Sequence, residues 1–133
     1  MSETTDTAGP AAVERFLAAV VTGRGFGPGI FAADAEIDAT VPNWRFRPTP
    51  GDLGAWFAAP GQFEELSRTP LPGGELVEFT LTWEEGGVPF AAHQVHVLTV
   101  DAGADTIRAD RVLCGGRWDA GLLAEMGAAG HAG

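Results

Sequence analysis

Apolar residues recur along this chain with two different periods. Val13, Phe16, Leu17 and Val20 stand three and four apart in "PAAVERFLAAVVTG", the spacing of an amphipathic helix. Pro10 suits its first turn and Gly23 its end. The glycine-rich "GFGPGIFAAD" predicts one short turn of helix around Ile30 and Phe31, and the alternation in "AEIDATVPNWRF" predicts a strand over 35–41. Thr49, Pro50 and Asp52 mark a helix start, because Thr49 can cap and Asp52 can reach back, with Pro60 as the stop. Period two then dominates. "GQFEELSRTP" is a weak strand, "ELVEFTLTW" and "VPFAAHQVHVLTV" are strong ones, and "TIRADRVLC" is the last long one. "RWDAGLLAEM" predicts a short C-terminal helix.

Helices first and a strand meander after them define an α+β domain. The 133 residues suffice for one core, so 10–127 form a single domain between a disordered tail at 1–9 and a flexible one at 128–133. The formal charge of -10 sets 18 acidic residues against 8 basic ones, all arginine. Such a surface repels nucleic acid and disfavours an anionic membrane. Cys114 is the lone cysteine, so no internal disulfide forms; with no secretory signal in the opening residues, a cytoplasmic setting is expected. The chain has no tyrosine, which removes the phenol from the possible acids.

The strand pattern also fixes directions. Gly86-Gly87 can take the positive φ angles of a two-residue turn, which pairs Glu85 with Val88, Trp83 with Phe90, Leu81 with Ala92, Phe79 with Gln94 and Val77 with His96. Alternation puts these on one face with Leu98 and Val100, and leaves Glu78, Thr80, Thr82, Glu84 and His93 on the other. Gln94 and His96 are then the polar members of an otherwise apolar inner face. Centring the next turn on Gly103 pairs Leu98 with Arg108, His96 with Asp110 and Gln94 with Val112, and turns Cys114 inward too. A one-residue slip would swap the faces. A buried carboxylate needs partners, so Asp110 requires His96, Arg108 or water. Two readings follow: a polar cluster that satisfies itself in the core, or a His–carboxylate pair that moves protons near neutral pH.

The order of "VERFLAAVVTG", "FAADAEIDA", a short helix and a twisted antiparallel sheet resembles the nuclear transport factor 2-like superfamily over about residues 11–126. Its relatives include SnoaL-like polyketide cyclases, ketosteroid isomerases, scytalone dehydratases and limonene epoxide hydrolases. The resemblance implies a cone: a curved sheet wrapped around N-terminal helices, with a deep apolar pocket open at one end. It places His96 where ketosteroid isomerases have an inward, proton-donating aspartic acid. It also places Phe16 where they need a tyrosine and Ala39 where they need the base, which argues against their reaction. Gly115 stands where SnoaL-like cyclases often have an aspartate. Arg108-Ala-Asp110 has the Arg-x-Asp spacing of the epoxide hydrolases on a different strand. Trp44 follows "VPN" where relatives often set an aromatic at the pocket mouth.

Other features carry less. Asp34 reads as a turn or cap residue, Asp38 as solvated and Cys114 as an inert buried thiol. His93, His96 and His131 lie on opposite faces or in a tail, so no metal site is expected, and "GRGFGPG" lacks the setting of a phosphate loop. The expected function is cofactor-independent acid–base catalysis on a hydrophobic molecule, as an isomerase, cyclase, hydratase or hydrolase of secondary metabolism. His96 would transfer the proton, Asp110 would orient it and Arg108 would hold a substrate oxygen. Phe16, Trp44, Phe79, Leu81, Trp83, Phe90, Gln94, Val112 and Cys114 would line the pocket. The rival is a non-catalytic ligand-binding or protein-interaction domain. Val95, Val97, Ile107, Ala109 and Leu113 point outward in this register, which predicts a homodimer through the outer sheet face.

Overall fold

The computed structural model describes residues 10–119, 121, 122, 124 and 125. Helix α1 spans Ala11–Thr22 and buries Ala12, Val13, Phe16, Leu17, Ala19 and Val20, the face its periodicity marked. A second helix, α2, spans Pro50–Gly54 and runs into a 3-10 turn over Ala55–Phe57. Its capping box is the expected one, with Thr49 accepting from Asp52 N and Asp52 accepting from Thr49 N. The strands are β1 (Phe31–Val41), β2 (Trp44–Phe46), β3 (Gly61–Leu71), β4 (Gly74–Glu85), β5 (Val88–Asp101) and β6 (Thr106–Asp119). They form one open sheet in the order β2-β1-β6-β5-β4-β3, antiparallel except where β1 runs parallel to β6. The helices pack on its inner face, an α+β cone as expected.

Local corrections follow the backbone. Ile30 and Phe31 are not helical: Pro28 and Gly29 turn the chain straight into β1, which starts four residues earlier than its alternation suggests and takes in Asp34, exposed within the strand. Pro42-Asn43 then turn the chain into β2, three residues that no period could announce. Residues 117–119 extend β6 rather than start a helix, and Asp119 caps the helical residues that follow through a 2.8 Å bond from Leu122 N. Both predicted tails, 1–9 and 128–133, lie outside the described residues.

The β4–β5 register is the predicted one, and Gly86 and Gly87 have φ of 58° and 82°. The β5–β6 register is not. Asp110 pairs with Leu98, Val112 with His96 and Cys114 with Gln94, two residues from expectation: the turn pairs Asp101 with Thr106, which accounts for one, and Arg108, an extra residue between the pairs Val100–Ile107 and Thr99–Ala109, accounts for the other. A shift of two keeps Asp110 inward. The bulge reverses what precedes it, so Ile107 is buried in the core and Arg108 is exposed.

The hairpin before that bulge serves the helix. No side chain at Pro10 caps α1. Asp105 does so from the β5–β6 turn, accepting from Ala12 N at 3.1 Å and pairing with Arg15 at 3.1 Å, while its own φ is 53°. At the same closed end Glu75 is buried on the inner face, a polar position the alternation implied but the apolar reading passed over. Arg68 neutralises it with two bonds, one of 3.0 Å from Nη2, and reaches Glu14 of α1 at 2.6 Å. The Glu75 carboxylate above all, and Glu14 after it, hold the Arg68 proton more firmly than usual. The helix is thus pinned by charge at both of its flanks. Asp105→Ala should lower stability by about 1–2 kcal/mol in urea unfolding, and Asp105→Asn by less, since asparagine still caps and tolerates a positive φ.

Candidate functional site

His96 sits at the centre of the inner face with both ring nitrogens engaged. Nδ1 lies 2.8 Å from Asp110 Oδ2 and Nε2 lies 2.8 Å from Gln94 Oε1. Asp110 reaches the ring diagonally, from the position opposite Leu98, because long side chains on one face of a twisted sheet span neighbouring pairs. The His96 and Asp110 side chains are both wholly buried. Phe79 stacks on the imidazole at 5.5 Å and Phe16 of α1 meets it edge-on at 5.1 Å. Asp110 Oδ1 has no hydrogen-bond partner among the described residues. The remaining polar link runs outward: Gln94 Nε2 donates to Cys114 Sγ at 3.5 Å, and the Gly116 amide donates to the same sulfur at 3.4 Å.

Beyond Gln94 no described residue covers the sheet, and a cavity of about 440 Å³ opens. Its apolar wall comes from Val41, Trp56, Phe57, Leu81, Trp83 and Ala92, and its polar groups are Gln94, Cys114, Glu85 and Arg117. That volume matches a small organic ligand. The helical segment 50–57 supplies one side through Ala55, Trp56 and Phe57, which is why the short second helix matters to the site. At the rim Arg117 lies 4.3 Å over the Phe90 ring and 5.9 Å over Trp83, and donates to Glu85 at 2.8 Å. Trp83 Nε1 also donates to Glu85 at 2.8 Å. These two bonds, the Trp83 one first, hold the Glu85 carboxyl below its ordinary value, so the rim stays ionised until the pH falls below that range.

Of the residues expected to line a pocket, Leu81, Trp83, Gln94 and Cys114 do so. Phe16, Phe79 and Val112 instead pack around His96 as solid core, Phe90 backs Trp83 at 5.9 Å, and Trp44 is 63% exposed, stacked on Phe46 at 4.2 Å. His96 and Asp110 come together as expected. Arg108 does not join them, since the bulge turns it to solvent. The cavity ends at Gln94 and does not reach His96.

Arg117, Glu85, Trp56 and Phe57 were missed. The signal for Arg117 was the pair Gly115-Gly116 inside a strand, a mark of a bulge. There β6 spends two residues, Gly115 and Gly116, against the single His93 of β5, between Cys114–Gln94 and Arg117–Ala92, with Gly116 at φ 96°. The irregularity brings Arg117 to the cavity side. On the outer face His93 joins Thr80 at 2.8 Å and Glu78 at 2.6 Å, as its alternation implied. Asp38 is not merely solvated: Arg45 binds it twice and Arg111 once, and the Arg45 bonds hold its carboxyl below the usual range. Among the described residues no three His, Cys, Asp or Glu side chains converge as metal ligands would, and no helix is long and apolar enough to cross a membrane.

Comparison with solved structures places this architecture. A protein of ketosteroid isomerase-like fold from Catenulispora acidiphila, solved in complex with trimethylamine, superposes with a TM-score of 0.55 at 17% identity, over 79% of this chain and 85% of that one. The chain has the nuclear transport factor 2-like fold. SalBIII, an epoxide hydrolase/cyclase-like enzyme with a role in pyran ring formation in polyether salinomycin, gives 0.55 at 15% identity over 86% and 95%. A nuclear transport factor 2-like protein of unknown function from Burkholderia xenovorans gives 0.51 at 16% over 79% and 80%. No protein-family model and no curated protein matches the sequence. At these identities the shared property is the cone.

The buried triad makes a stability prediction. His96→Leu strands the Asp110 carboxylate without a donor and should cost about 3–5 kcal/mol. Adding Asp110→Leu should recover much of that loss, because two apolar side chains replace a broken pair. A thermal-denaturation double-mutant cycle reads the coupling, and additive losses would contradict it.

Proposed function

We propose that the protein binds a hydrophobic small molecule in the cavity between the 55–57 turn and the sheet. The observation that supports this most directly is the cavity's make-up. Apolar and aromatic walls surround a single deeply buried amide, Gln94, with a charged pair at the rim. Apolar area gives such a site its affinity, and one well-placed polar group gives it orientation. Because the cavity stops at Gln94, the binding reading needs no rearrangement of the core.

A second reading, cofactor-independent turnover of the isomerase, cyclase, hydratase or hydrolase kind, is favoured by the buried His–Asp pair behind that amide. A core satisfied by apolar residues would do without so costly a pair. In this reading Gln94 touches the substrate and polarises its oxygen, while His96 and Asp110 act as positioning residues through it. Arg108 takes no part. The fold shared with SalBIII is compatible with such chemistry and does not choose among the reactions.

The pocket has a direct test. An environment-sensitive apolar dye should bind and alter tryptophan emission, since Trp56 and Trp83 both line the wall. Ala92→Phe, on the cavity side of β5, should weaken that binding by roughly tenfold or more, the worth of about 1.4 kcal/mol. Unchanged dye affinity in Ala92→Phe would count against this cavity.

We also propose a homodimer through the outer face. Val95 and Val97 are half-buried there and Leu113 is 43% exposed, although Ile107 belongs to the core. Val95, Leu113 and Trp118 border a shallow hollow on that side. Sedimentation should show a dimer at micromolar concentration, and Leu113→Arg should yield a monomer; a native monomer would dismiss the assembly.

A further inference from the structure

Resting on the small-molecule reading, we propose that Gln94 sets the specificity of the cavity, locked by His96 and Asp110 as a hydrogen-bond donor. Its ligand class is then an apolar molecule bearing an acceptor oxygen, such as a ketone carbonyl. The argument is a count of protons. A glutamine amide can face an imidazole nitrogen with its oxygen or with its NH2 group. Here Oε1 faces His96 Nε2 at 2.8 Å, which requires a proton on Nε2. One further proton lies between Nδ1 and Asp110 Oδ2, at 2.8 Å. Whichever of the two atoms carries it, Asp110, His96 and Gln94 together have no net charge.

The reverse orientation has a different total. With NH2 facing the ring, Nε2 must offer a lone pair, Nδ1 keeps the remaining proton, and Asp110 becomes an uncompensated anion. Nothing around it suits an anion. Oδ1 has no donor among the described residues, and the ring is closed in by Phe79 on its face and Phe16 at its edge. The charged groups at the closed end, Arg68 with Glu75 and Glu14, are engaged with one another. Burial therefore selects the neutral arrangement.

That choice decides what the cavity meets. The amide carbonyl is committed to His96, so the NH2 group remains. One of its N–H bonds reaches Cys114 Sγ, a weak acceptor, at 3.5 Å. The other has no acceptor among the described residues, in a residue that is 4% exposed and lines the cavity. A ligand oxygen there gains a bond; a ligand offering only an N–H finds nothing to receive it.

Three bicyclic probes of similar size separate the possibilities: 2-acetylnaphthalene, which accepts, 2-ethylnaphthalene, which does neither, and 3-ethylindole, which donates. The native protein should bind the ketone roughly three- to tenfold more tightly than the hydrocarbon by titration calorimetry, the worth of one net hydrogen bond. Gln94→Leu should erase that difference. Asp110→Asn leaves both amide orientations neutral, since asparagine can either accept from Nδ1 or donate to it, so the ketone's advantage over the indole should shrink. Nitrogen-15 spectra of the ligand-free native protein should show a protonated Nε2 on His96, a readout that needs no variant to fold. An unprotonated Nε2, or a ketone preference that survives Gln94→Leu, overturns the inference. Equal binding of ketone and hydrocarbon overturns it while leaving the cavity reading intact. If none of the three probes binds, the cavity reading itself fails, and this inference with it.

Discussion

A carboxylate shut away from water has to be neutralised by what the fold brings to it, and Asp110 is such a carboxylate. It stands on the inner face of β6, wholly buried, between apolar neighbours. Among the described residues His96 on β5 is the one side chain that bonds it, and His96 in turn occupies the Gln94 carbonyl. The alignment of β5 with β6 is therefore more than a packing choice. Moved by one residue, the sheet would turn Asp110 outward and leave His96 and Gln94 facing an apolar helix with unmet bonds. The bulge at Arg108 is what reconciles this alignment with the hairpin, whose Asp105 must also reach the start of α1.

The cavity follows from the same arrangement by default. Helix α1 covers the sheet at the closed end, where Phe16 seals His96 and the Arg68–Glu75–Glu14 cluster pins the helix. The second helix has five residues and the turn after it three, too few to cover the rest. The open end keeps the width the sheet's curvature gives it, and the aromatic groups Trp56, Phe57 and Trp83 line what neither α1 nor α2 fills. Gln94 stands at the border between the sealed and the open halves. Its carbonyl is committed to His96 on the sealed side and its amide lines the cavity on the open one.

Sequence reading succeeded where a single period governed a long segment. The α1 face, the Thr49–Asp52 capping box and the β4–β5 pairing were legible because a helix has one repeat, a cap has a fixed offset and a two-residue turn fixes its register. It also brought His96 and Asp110 to one face, since a register error of two preserves direction. It failed where a strand breaks its own alternation. Arg108 and Ile107 exchanged places at one bulge, and Arg117 came to the cavity at another, because an inserted residue inverts every direction that precedes or follows it. The cavity's aromatic wall was hidden for another reason. Trp56 and Phe57 lie in a 3-10 turn, and one turn is too short to show which side is covered.

Depth is what weighs binding against turnover here. A histidine that does chemistry on a ligand needs a nitrogen within hydrogen-bond reach of it. Both nitrogens of His96 are spent on protein groups and the ring is closed in by Phe16 and Phe79. Whatever the pair contributes to a bound molecule therefore passes through the Gln94 amide, as orientation and polarisation rather than as a proton handed over. Such an effect is largest where water is excluded, and the inner end of this cavity is walled by Leu81, Ala92 and a thiol rather than by charged groups. The charged pair Glu85–Arg117 lies instead at the rim, half-exposed, where solvent screens it and keeps its charge away from the buried amide.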